Sequence, residues 1–341
     1  MQLNLIGRAV GVAAVLCLLG AIGARAESDD FGGTVSFQWE NDRVAQTDRH
    51  YTNGVRLSWV SDKTTDGPDW ARDLLEFMYP LAAVRGGRIG FALGQNMYTP
   101  EDTDAVALVA DDRPYAGWLY GAVSLHAETT RYRGGLKLDV LDSVELNLGI
   151  VGPQAYGEDT QNNYHDLINV ARSNGWSHQL KNEPALALFF ERKWRPEPYR
   201  LAGLEVDAIP HVGGSLGNVF TLANVGATFR IGQFLDFDYG PPHIRPSLSG
   251  LEAVKGGKEF GWYLFAGGEG RAVLHNIFLD GNTFTDSHSV SKNPFVGSIQ
   301  AGAVFSYAGY RVAFTHVYLT KEFGQQRRAD RYGTISLSKQ F

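Results

Sequence analysis

The chain has 341 residues, with 31 Lys and Arg against 37 Asp and Glu and a formal net charge of −6 at pH 7. It holds no Lys/Arg-rich run, so nucleic acid is not expected as a partner. Its single cysteine, Cys17, lies inside a predicted targeting segment, which excludes disulfides, thiol nucleophiles and cysteine metal sites from the mature chain.

Residues 1–26 have the features of a secretory signal peptide. Arg8 supplies the positive start, an apolar run extends from Ala9 to Ile22, and a small-x-small cleavage site ends at Ala26. The apolar run is too short to remain in a membrane as a spanning helix, and no later stretch approaches the necessary length. We predict that residues 27–341 form one secreted domain, either a periplasmic β protein or an outer-membrane β-barrel.

Polar and apolar residues alternate along much of this domain, as Val144, Leu146 and Leu148 do with Glu145 and Asn147. Alternation over about ten residues indicates strands of a transmembrane barrel, although the inner faces of a soluble β-sandwich alternate in the same way. Twelve strands are predicted, an even number that puts both chain ends in the periplasm. Their predicted bounds are 31–40, 52–61, 87–97, 116–127, 143–152, 184–194, 200–211, 218–230, 260–272, 293–305, 310–320 and 331–341.

Two features favour the barrel over the sandwich. The chain ends on an aromatic residue, Phe341, which resembles the terminal signal read by the outer-membrane barrel assembly machinery, a predicted partner. Aromatic residues also gather at strand ends, as they do in the interfacial girdles of membrane proteins. We therefore predict an all-β, transmembrane antiparallel β-barrel, with a short helix in an extracellular loop, among the lipids of a bacterial outer membrane. The girdle residues are Trp39, Trp59, Trp118, Tyr120, Trp194, Tyr199 and Tyr332.

Three predicted extracellular connections, at residues 41–51, 98–115 and 153–183, carry polar clusters that the barrel would bring to one rim. On the periplasmic side, connections 62–86, 128–142 and 231–259 are longer than such turns usually are. Either a strand is miscounted, or the first connection contains a helix along the inner membrane surface. Residues with helical spacing there are Trp70, Leu74, Leu75, Phe77 and Met78.

The third extracellular connection contains a predicted helix at residues 157–172, with Gly175 as its stop signal. Within it, His165, Ile168 and Arg172 are spaced to share one face. Histidine is the side chain best suited to take a proton near neutral pH, so His165 is a candidate general base. A solvated surface histidine is the alternative interpretation.

Three polar residues at the first connection have two interpretations. Asn41 and Asp42 directly follow the first strand, and Thr52 lies where the second strand begins. They serve either as turn formers or as oxygen ligands for a hard cation. Asp42 is also suited to orient a histidine.

On the second connection, the candidate is Arg113. Its guanidinium is suited to bind a phosphate in bidentate fashion or to stabilise an oxyanion. The alternative interpretation is an ion pair at the strand end with Asp111 or Asp112.

Taken together, these residues resemble a known family, the outer-membrane lipid A 3′-O-deacylases or LpxR-like proteins. The resemblance extends through nearly the whole predicted mature chain. The runs that carry it include Glu40–Asp42, Tyr51–Gly54, Asp112–Trp118, Gly149–Pro153, Gly157–Glu158, Gln161, His165, Gly175–Trp176, Asn182–Pro184, Asn276–Phe284 and Glu322–Phe323.

The resemblance implies a twelve-stranded barrel and a calcium-dependent hydrolase that removes the 3′-linked acyloxyacyl group of lipid A. Lipid A, as part of lipopolysaccharide, is the implied substrate. The implied site lies between the barrel wall and a loop helix, at the level of the outer leaflet. By the same resemblance His165 activates a water, Asn41 and Asp42 lie beside it, Arg113 stands near the oxyanion, and Thr52 matches a family threonine.

The family also uses a carboxylate close to the catalytic histidine, and residues 167–172 offer none. Glu158 or Asp166 are the available substitutes, so the expected Ca²⁺ ligands are Asp42 and Glu158. Two other functions are kept as alternatives. An outer-membrane phospholipase would use similar chemistry, and a passive porin-like barrel would use a polar lumen face that includes Thr52, Arg56 and Ser58.

Overall fold

The fold is described from a computed structural model, which covers residues 32–42, 50–62, 87–241 and 260–341. The predicted signal peptide, residues 43–49 of the first extracellular connection and the predicted surface helix at residues 70–78 lie outside these ranges. The predictions made for these three segments are therefore not tested by the structure.

Most of the described chain is β-strand, and helix is confined to short segments. The helices are α1 (Gly157–Leu167) and α2 (Ile277–Asp280). Neither of these described helices is long and apolar enough to cross a membrane. The strands are β1 (Gly33–Asn41), β2 (His50–Ser61), β3 (Gly87–Thr99), β4 (Ala116–Arg133), β5 (Leu136–Val151), β6 (Glu183–Pro196), β7 (Tyr199–Leu201), β8 (Leu204–Gly217), β9 (Phe220–Gln233), β10 (Gly261–Asn276), β11 (Phe295–Tyr307), β12 (Tyr310–Leu319) and β13 (Asp330–Gln340).

Twelve of these strands form a closed antiparallel barrel, as the alternation predicted. Strands follow one another round the wall in chain order, and β1 pairs with β13 through Asn41↔Gly333 and seven further residue pairs. Strand β6 pairs with β8, and this pairing closes the ring. The three-residue β7 pairs only with β8 and is not one of the twelve wall strands. The predicted strand at 200–211 is therefore divided, because the chain turns at residues 202–203 before β8 enters the wall.

The predicted periplasmic connection at residues 128–142 is wrong. Strands β4 and β5 continue through this stretch and meet in a two-residue turn at Gly134 and Gly135, whose φ angles are 60° and 83°. Two successive residues with positive φ form the turn that matches the twist of paired strands, and glycine adopts it without strain. The charged residues around this turn made the strand ends look like a loop.

Apolar side chains face outward and polar ones inward. Arg56 on β2 and Glu145 on β5 form a buried bidentate ion pair, with Nη1–Oε1 and Nη2–Oε2 distances of 3.0 and 2.7 Å. Because β3 and β4 separate these strands in the wall, the pair crosses the interior. On the other face, Leu93, Phe190 and Phe229 are exposed, as expected where a barrel wall contacts lipid.

The periplasmic end of the interior is filled by residues 234–241, the start of the connection predicted at 231–259. The Asp238 carboxylate accepts hydrogen bonds from Arg230 on β9 and Tyr263 on β10, at 2.6 and 2.8 Å, and pairs with Arg311 on β12 at 2.8 Å. Arg195 on β6 donates to the Asp238 carbonyl oxygen at 2.8 Å. Strands on different sides of the barrel thus hold one segment across the lumen, which we call the periplasmic plug.

The extracellular end is filled by aromatic rings, which we call the aromatic plug. Phe278 of α2 stacks on Tyr98 of β3 at a ring-centroid distance of 3.8 Å and lies 5.5 Å from Phe220 of β9. The Tyr51 ring lies 5.5 Å from that of Tyr98 and 5.3 Å from that of Tyr332 of β13. All five side chains are buried, so the interior is closed by side chains at this end too.

Candidate active site

A cleft lies between α1 and the outer face of the barrel wall. We call it the wall cleft. It is on the extracellular half of the molecule, because the long connections that carry α1 and α2 emerge at that end. Its lining residues are Asn41, Asp42, Thr52, Asn53 and Met97 from the wall side and Gln161, Tyr164 and His165 from the helix. The structure therefore brings together four predicted site residues: Asn41, Asp42, Thr52 and His165.

A β-bulge at the start of β2 changes which face its first residues occupy. The register between β2 and β3 shifts between Tyr51 and Asn53, so Thr52 is the extra residue. Tyr51 points into the barrel, where its hydroxyl donates to Glu40 at 2.8 Å. Asn53 pairs with Asn41, and both contribute to the outer cleft. Thr52 therefore does not belong to the lumen face with Arg56 and Ser58, as the porin alternative assumed.

Close packing holds α1 against the wall. Gln95, which faces outward from β3, donates to the Ala155 carbonyl oxygen at 2.7 Å, just before the helix begins. A Cβ atom on Gly117 would lie 3.2 Å from the backbone of Gly157, and one on Gly157 would lie 2.7 Å from the Trp176 ring. A side chain at Gly157 would force the Trp176 ring to move, and one at Gly117 would push the start of the helix slightly away from the wall. The helix therefore lies directly on β4, with its buried face over the cleft.

His165 is buried at 4% exposure and has one ring nitrogen fixed by the backbone. Its Nδ1 lies 2.6 Å from the Ala171 carbonyl oxygen. Because a carbonyl can only accept, Nδ1 carries the hydrogen and donates it. In the neutral ring Nε2 then has a lone pair, which is what a general base needs.

This arrangement depends on where the helix ends, and the predicted end at residue 172 is wrong. α1 stops at Leu167, and Asn169 adopts a left-handed conformation with φ 55°. Asparagine tolerates this conformation, which commonly follows a helix end. The chain then turns back, Val170 N–H donates to the His165 carbonyl at 2.9 Å, and Ala171 reaches the imidazole.

Gln161 is a candidate functional residue that the sequence analysis did not assign a role. It lies one turn before His165 on the same helix face and is 2% exposed. Its Oε1 accepts a hydrogen bond from Trp176 Nε1 at 2.7 Å, which fixes the amide orientation. Its Nε2 is buried in the cleft with no hydrogen-bond partner among the described residues. A buried unpaired N–H is costly, so a donor held this way is suited to a ligand oxygen. The four-residue spacing from His165 was the available sequence signal.

The wall side of the cleft is rich in oxygen atoms. Asp42 is 1% exposed, and Asn41 Nδ2 donates to the Thr52 carbonyl at 3.1 Å. The Asn53 side-chain Oδ1 is buried with no hydrogen-bond partner among the described residues. One carboxylate, amide oxygens and the Thr52 hydroxyl are the donor types that Ca²⁺ prefers. These residues therefore fit a hard cation, although the described residues contain no group of three or more His, Cys, Asp or Glu that would hold a metal.

The family model described as outer membrane protein LpxR matches residues 12–341. This chain belongs to the LpxR family. It is a protein of the bacterial outer membrane. A comparison with curated proteins found no match.

The solved structure of LpxR from Salmonella typhimurium is similar to this chain. The two share 20% sequence identity with a TM-score of 0.73, covering 90% of this chain and 100% of that one. At this identity the likeness concerns the fold, a twelve-stranded barrel. The β domain of the Bordetella autotransporter BrkA has 10% identity and a TM-score of 0.42, covering 92% of this chain and 100% of its own. The translocator domain of the autotransporter NalP from Neisseria meningitidis has 10% identity and a TM-score of 0.34, covering 98% and 97%.

The two carboxylates predicted as substitutes near His165, Glu158 and Asp166, do not line the wall cleft. Glu158 is exposed in the first turn of α1, where an acidic side chain suits the helix dipole. Asp166 is exposed and pairs with Arg172, whose Nε lies 2.9 Å from Oδ1. His165 points to the opposite, buried side of the helix. The predicted pairing of Asp42 with Glu158 around one metal is therefore not formed here, and Asp42 is the carboxylate that lines the cleft.

Arg113 also lies apart from the wall cleft. Its guanidinium pairs with Glu322 at 2.8 Å and lies 5.5 Å from the Tyr98 ring centroid. Tyr98 belongs to the aromatic plug inside the barrel, whereas Met97 lines the wall cleft, because successive strand residues face opposite sides. The barrel wall therefore separates Arg113 from His165, and the ion pair predicted with Asp111 or Asp112 is made with Glu322 instead.

The extracellular connection that carries Arg113 is anchored through Asp112. Its carboxylate accepts from the backbone N–H groups of Glu101 and Arg113, at 2.8 and 2.7 Å, and lies 3.3 Å from His50 Nε2. Burial alone would raise the pKa of Asp112, but the contacts with His50 and these backbone groups outweigh it and lower that pKa. The charged form of Asp112 thus holds the connection against β2.

Proposed function

We propose that this chain is an outer-membrane lipid A 3′-O-deacylase, which hydrolyses the ester of the 3′-linked acyloxyacyl group. The observation that carries the proposal is the cleft on the outer wall, which buried His165 lines with its Nδ1 fixed by the Ala171 carbonyl, so that in the neutral ring Nε2 is the basic nitrogen. A site on the outside of the wall is accessible to a lipid of the outer leaflet, whereas a soluble substrate would reach a loop or the lumen more readily. Membership of the LpxR family supports the same activity.

In the proposed reaction, His165 Nε2 takes a proton from a water as the water oxygen attacks the ester carbonyl carbon. The carbonyl π electrons move to its oxygen, giving a tetrahedral oxyanion. When the oxyanion collapses, the bond to the sugar 3′-oxygen breaks and His165 returns the proton to that oxygen. The products are a free acyloxyacyl acid and the 3′-hydroxyl. The Ala171 carbonyl stabilises the imidazolium that forms in between, since it accepts from Nδ1.

Gln161 is the proposed donor to the oxyanion. Its Nε2 has no other partner among the described residues and is oriented by Trp176 before substrate binds. A donor fixed in advance stabilises developing charge without reorganisation during the reaction, which is why such donors affect kcat more than KM. Tyr164 and Met97 line the same cleft and provide part of its less polar surface.

Calcium belongs to the proposal as an assisting cation. Asp42 would hold it, with oxygens of Asn41, Asn53 and Thr52, and it would supply positive charge to polarise the ester carbonyl. A chelator is expected to abolish deacylation and added Ca²⁺ to restore it. Asp42→Asn is expected to raise the Ca²⁺ concentration needed for half-maximal rate, measured by titration. Full activity of the chelated wild type would remove calcium from the proposal.

The central experiment is mass spectrometry of lipid A from a Gram-negative host that retains its 3′ acyl chains. Expression of the chain is expected to produce lipid A lacking the acyloxyacyl group. His165→Ala is expected to leave lipid A intact, while the barrel still shows the heat-dependent gel mobility of a folded outer-membrane protein. Unchanged deacylation in His165→Ala would contradict the role of His165 as base.

A phospholipase is the alternative, because the wall cleft would also admit the ester of an outer-leaflet glycerophospholipid. Release of fatty acid from purified phosphatidylethanolamine vesicles is the discriminating measurement. Fatty acid release together with intact lipid A would favour the phospholipase and contradict the deacylase.

A further inference from the structure

In the last extracellular connection, the acidic side chains are buried and the basic side chains are exposed. Within residues 320–331, all of which the structure describes, both acidic residues are buried: Glu322 pairs with Arg113, and Asp330 lies 2.7 Å from His50 Nδ1. The basic residues are exposed, and they are Lys321, Arg327, Arg328 and Arg331. We call the last three the arginine rim. The outer surface of this connection is therefore positive although the chain as a whole is negative.

The strand end that carries Arg331, the last residue of the arginine rim, is next to the wall cleft. Gly333 of β13 pairs directly with Asn41 of β1, which lines the cleft. Arg331 is two residues further toward the extracellular end of β13, so strand geometry puts its Cα about 8 Å from that of Asn41. Its guanidinium lies 5.8 Å from the ring centroid of Tyr318, an outward-facing tyrosine of the kind found at membrane interfaces.

Internal hydrogen bonds hold this connection in place. The side-chain Nε2 of Gln326 donates to the Arg328 carbonyl at 2.9 Å and to Asp330 at 3.0 Å, while its Oε1 accepts from Glu322 N–H at 2.6 Å. Gln326 itself is 2% exposed. The backbone that carries Arg327 and Arg328 is thus ordered before any ligand binds, which lowers the entropic cost of binding.

The other side of the cleft carries the opposite charge. Exposed acidic residues lie on α1 and on the connection between β3 and β4. The exposed Lys and Arg residues of the connection between α1 and β6 are two, Lys181 and Arg172, and Arg172 is paired with Asp166. An anionic group on a bound lipid would be repelled from the α1 side and attracted to the β13 side. The exposed acidic residues are Asp102, Asp104, Asp111, Glu158, Asp159 and Asp166.

We propose that the arginine rim is a subsite for a headgroup phosphate of the lipid substrate and sets the direction in which the lipid lies in the wall cleft. The inference rests on the proposed deacylase function and names the part of the substrate that this side recognises. Arginine guanidinium groups bind phosphate oxygens in bidentate fashion. The buried Arg113 is paired with Glu322 and does not serve this purpose.

Binding is measured directly, without catalysis. The His165→Ala protein in detergent micelles is titrated with fluorescent lipid A carrying both headgroup phosphates, and with the same lipid after enzymatic dephosphorylation. The phosphorylated lipid is expected to bind about tenfold more tightly, a preference that weakens as salt rises. In the combined variant Arg327→Gln/Arg328→Gln/Arg331→Gln that preference is expected to disappear, with affinity for the dephosphorylated lipid unchanged.

The matched control is Arg200→Gln, which removes an exposed arginine at the periplasmic end of the barrel and should keep the full preference. An equal preference in the rim variant and in wild type would overturn the subsite. Displacement of the bound lipid by millimolar inorganic phosphate would identify a free-phosphate site and also overturn it. In the active protein, the rim variant should raise KM and leave kcat unchanged. Absence of any deacylation by wild type would instead contradict the proposed function, while the binding result would still stand.

Discussion

At the scale of single residues, the site combines one feature visible in the sequence with two that are not. His165 was predicted as the base from its residue type and its loop helix. The group that orients it is a backbone carbonyl, at Ala171, where a carboxylate was expected. Any residue can supply a carbonyl, so no sequence pattern marks it. The role of Gln161 depends on Trp176, fifteen residues away and beyond a turn that the sequence did not predict.

Gln161→Met tests the proposed oxyanion donor. The substitution keeps side-chain length but removes Nε2, so kcat should fall roughly 100-fold with little change in KM, as for loss of one preorganised donor. Trp176→Phe should give a smaller fall, because Gln161 stays but loses the bond that orients it. Rates are measured on lipid A in mixed micelles. Asn163→Met, on the exposed face of α1, is the control. A wild-type kcat in a folded Gln161→Met protein would exclude the role.

At the scale of elements, the strands were predictable because each carries its own alternation and its own turn residues. Where the pattern is local, as at β1 or β12, predicted and observed bounds agree within two residues. Where the predicted strand bounds or faces differ from the observed ones, the difference has a physical cause. The ends of β4 and β5 mix charged residues with apolar ones and meet in a tight turn, and the bulge at Thr52 reverses which face a side chain occupies. Neither effect appears in hydrophobic periodicity.

The connection between β3 and β4 should detach from β2 in acid. Because the pKa of Asp112 is lowered in the folded chain, its contribution to anchoring is present above the ordinary value of 3.8 and is lost as pH falls below it. Pepsin, which is active in acid, should therefore cleave this connection increasingly from about pH 3.8 downward. Asp112→Asn should be cleaved at higher pH as well, whereas Asp111→Asn, at an exposed neighbour, should behave as wild type. Protection of Asp112→Asn at pH 5 would contradict the anchor.

At the scale of the whole molecule, the barrel was predictable and its closed interior was not. Alternation and turn residues specify a wall, and a closed wall has no free strand edges. The periplasmic plug depends on Asp238 meeting arginines at positions 195, 230 and 311, which only the closed ring brings together. The aromatic plug likewise joins β2, β3, β9 and β13 through Phe278 of α2. A plugged lumen disfavours the passive porin alternative. It leaves the outer face of the wall, where the wall cleft lies, as the proposed substrate-binding surface.

The plugs predict that the purified barrel does not conduct ions steadily in planar bilayers. Asp238→Ala removes the carboxylate shared by Arg230, Arg311 and Tyr263, and leaves buried cations without their partner at a cost of about 3–5 kcal/mol. The periplasmic plug should then leave the lumen and stepwise conductance should appear.

The control is Asp236→Ala, at an exposed neighbour on the same segment, and the barrel of this variant should remain closed. Deacylation by Asp238→Ala should be preserved, since the wall cleft lies at the other end and on the other face. Steady large conductance of the wild type would show that the two plugs do not seal the barrel, and it would return the porin function to consideration.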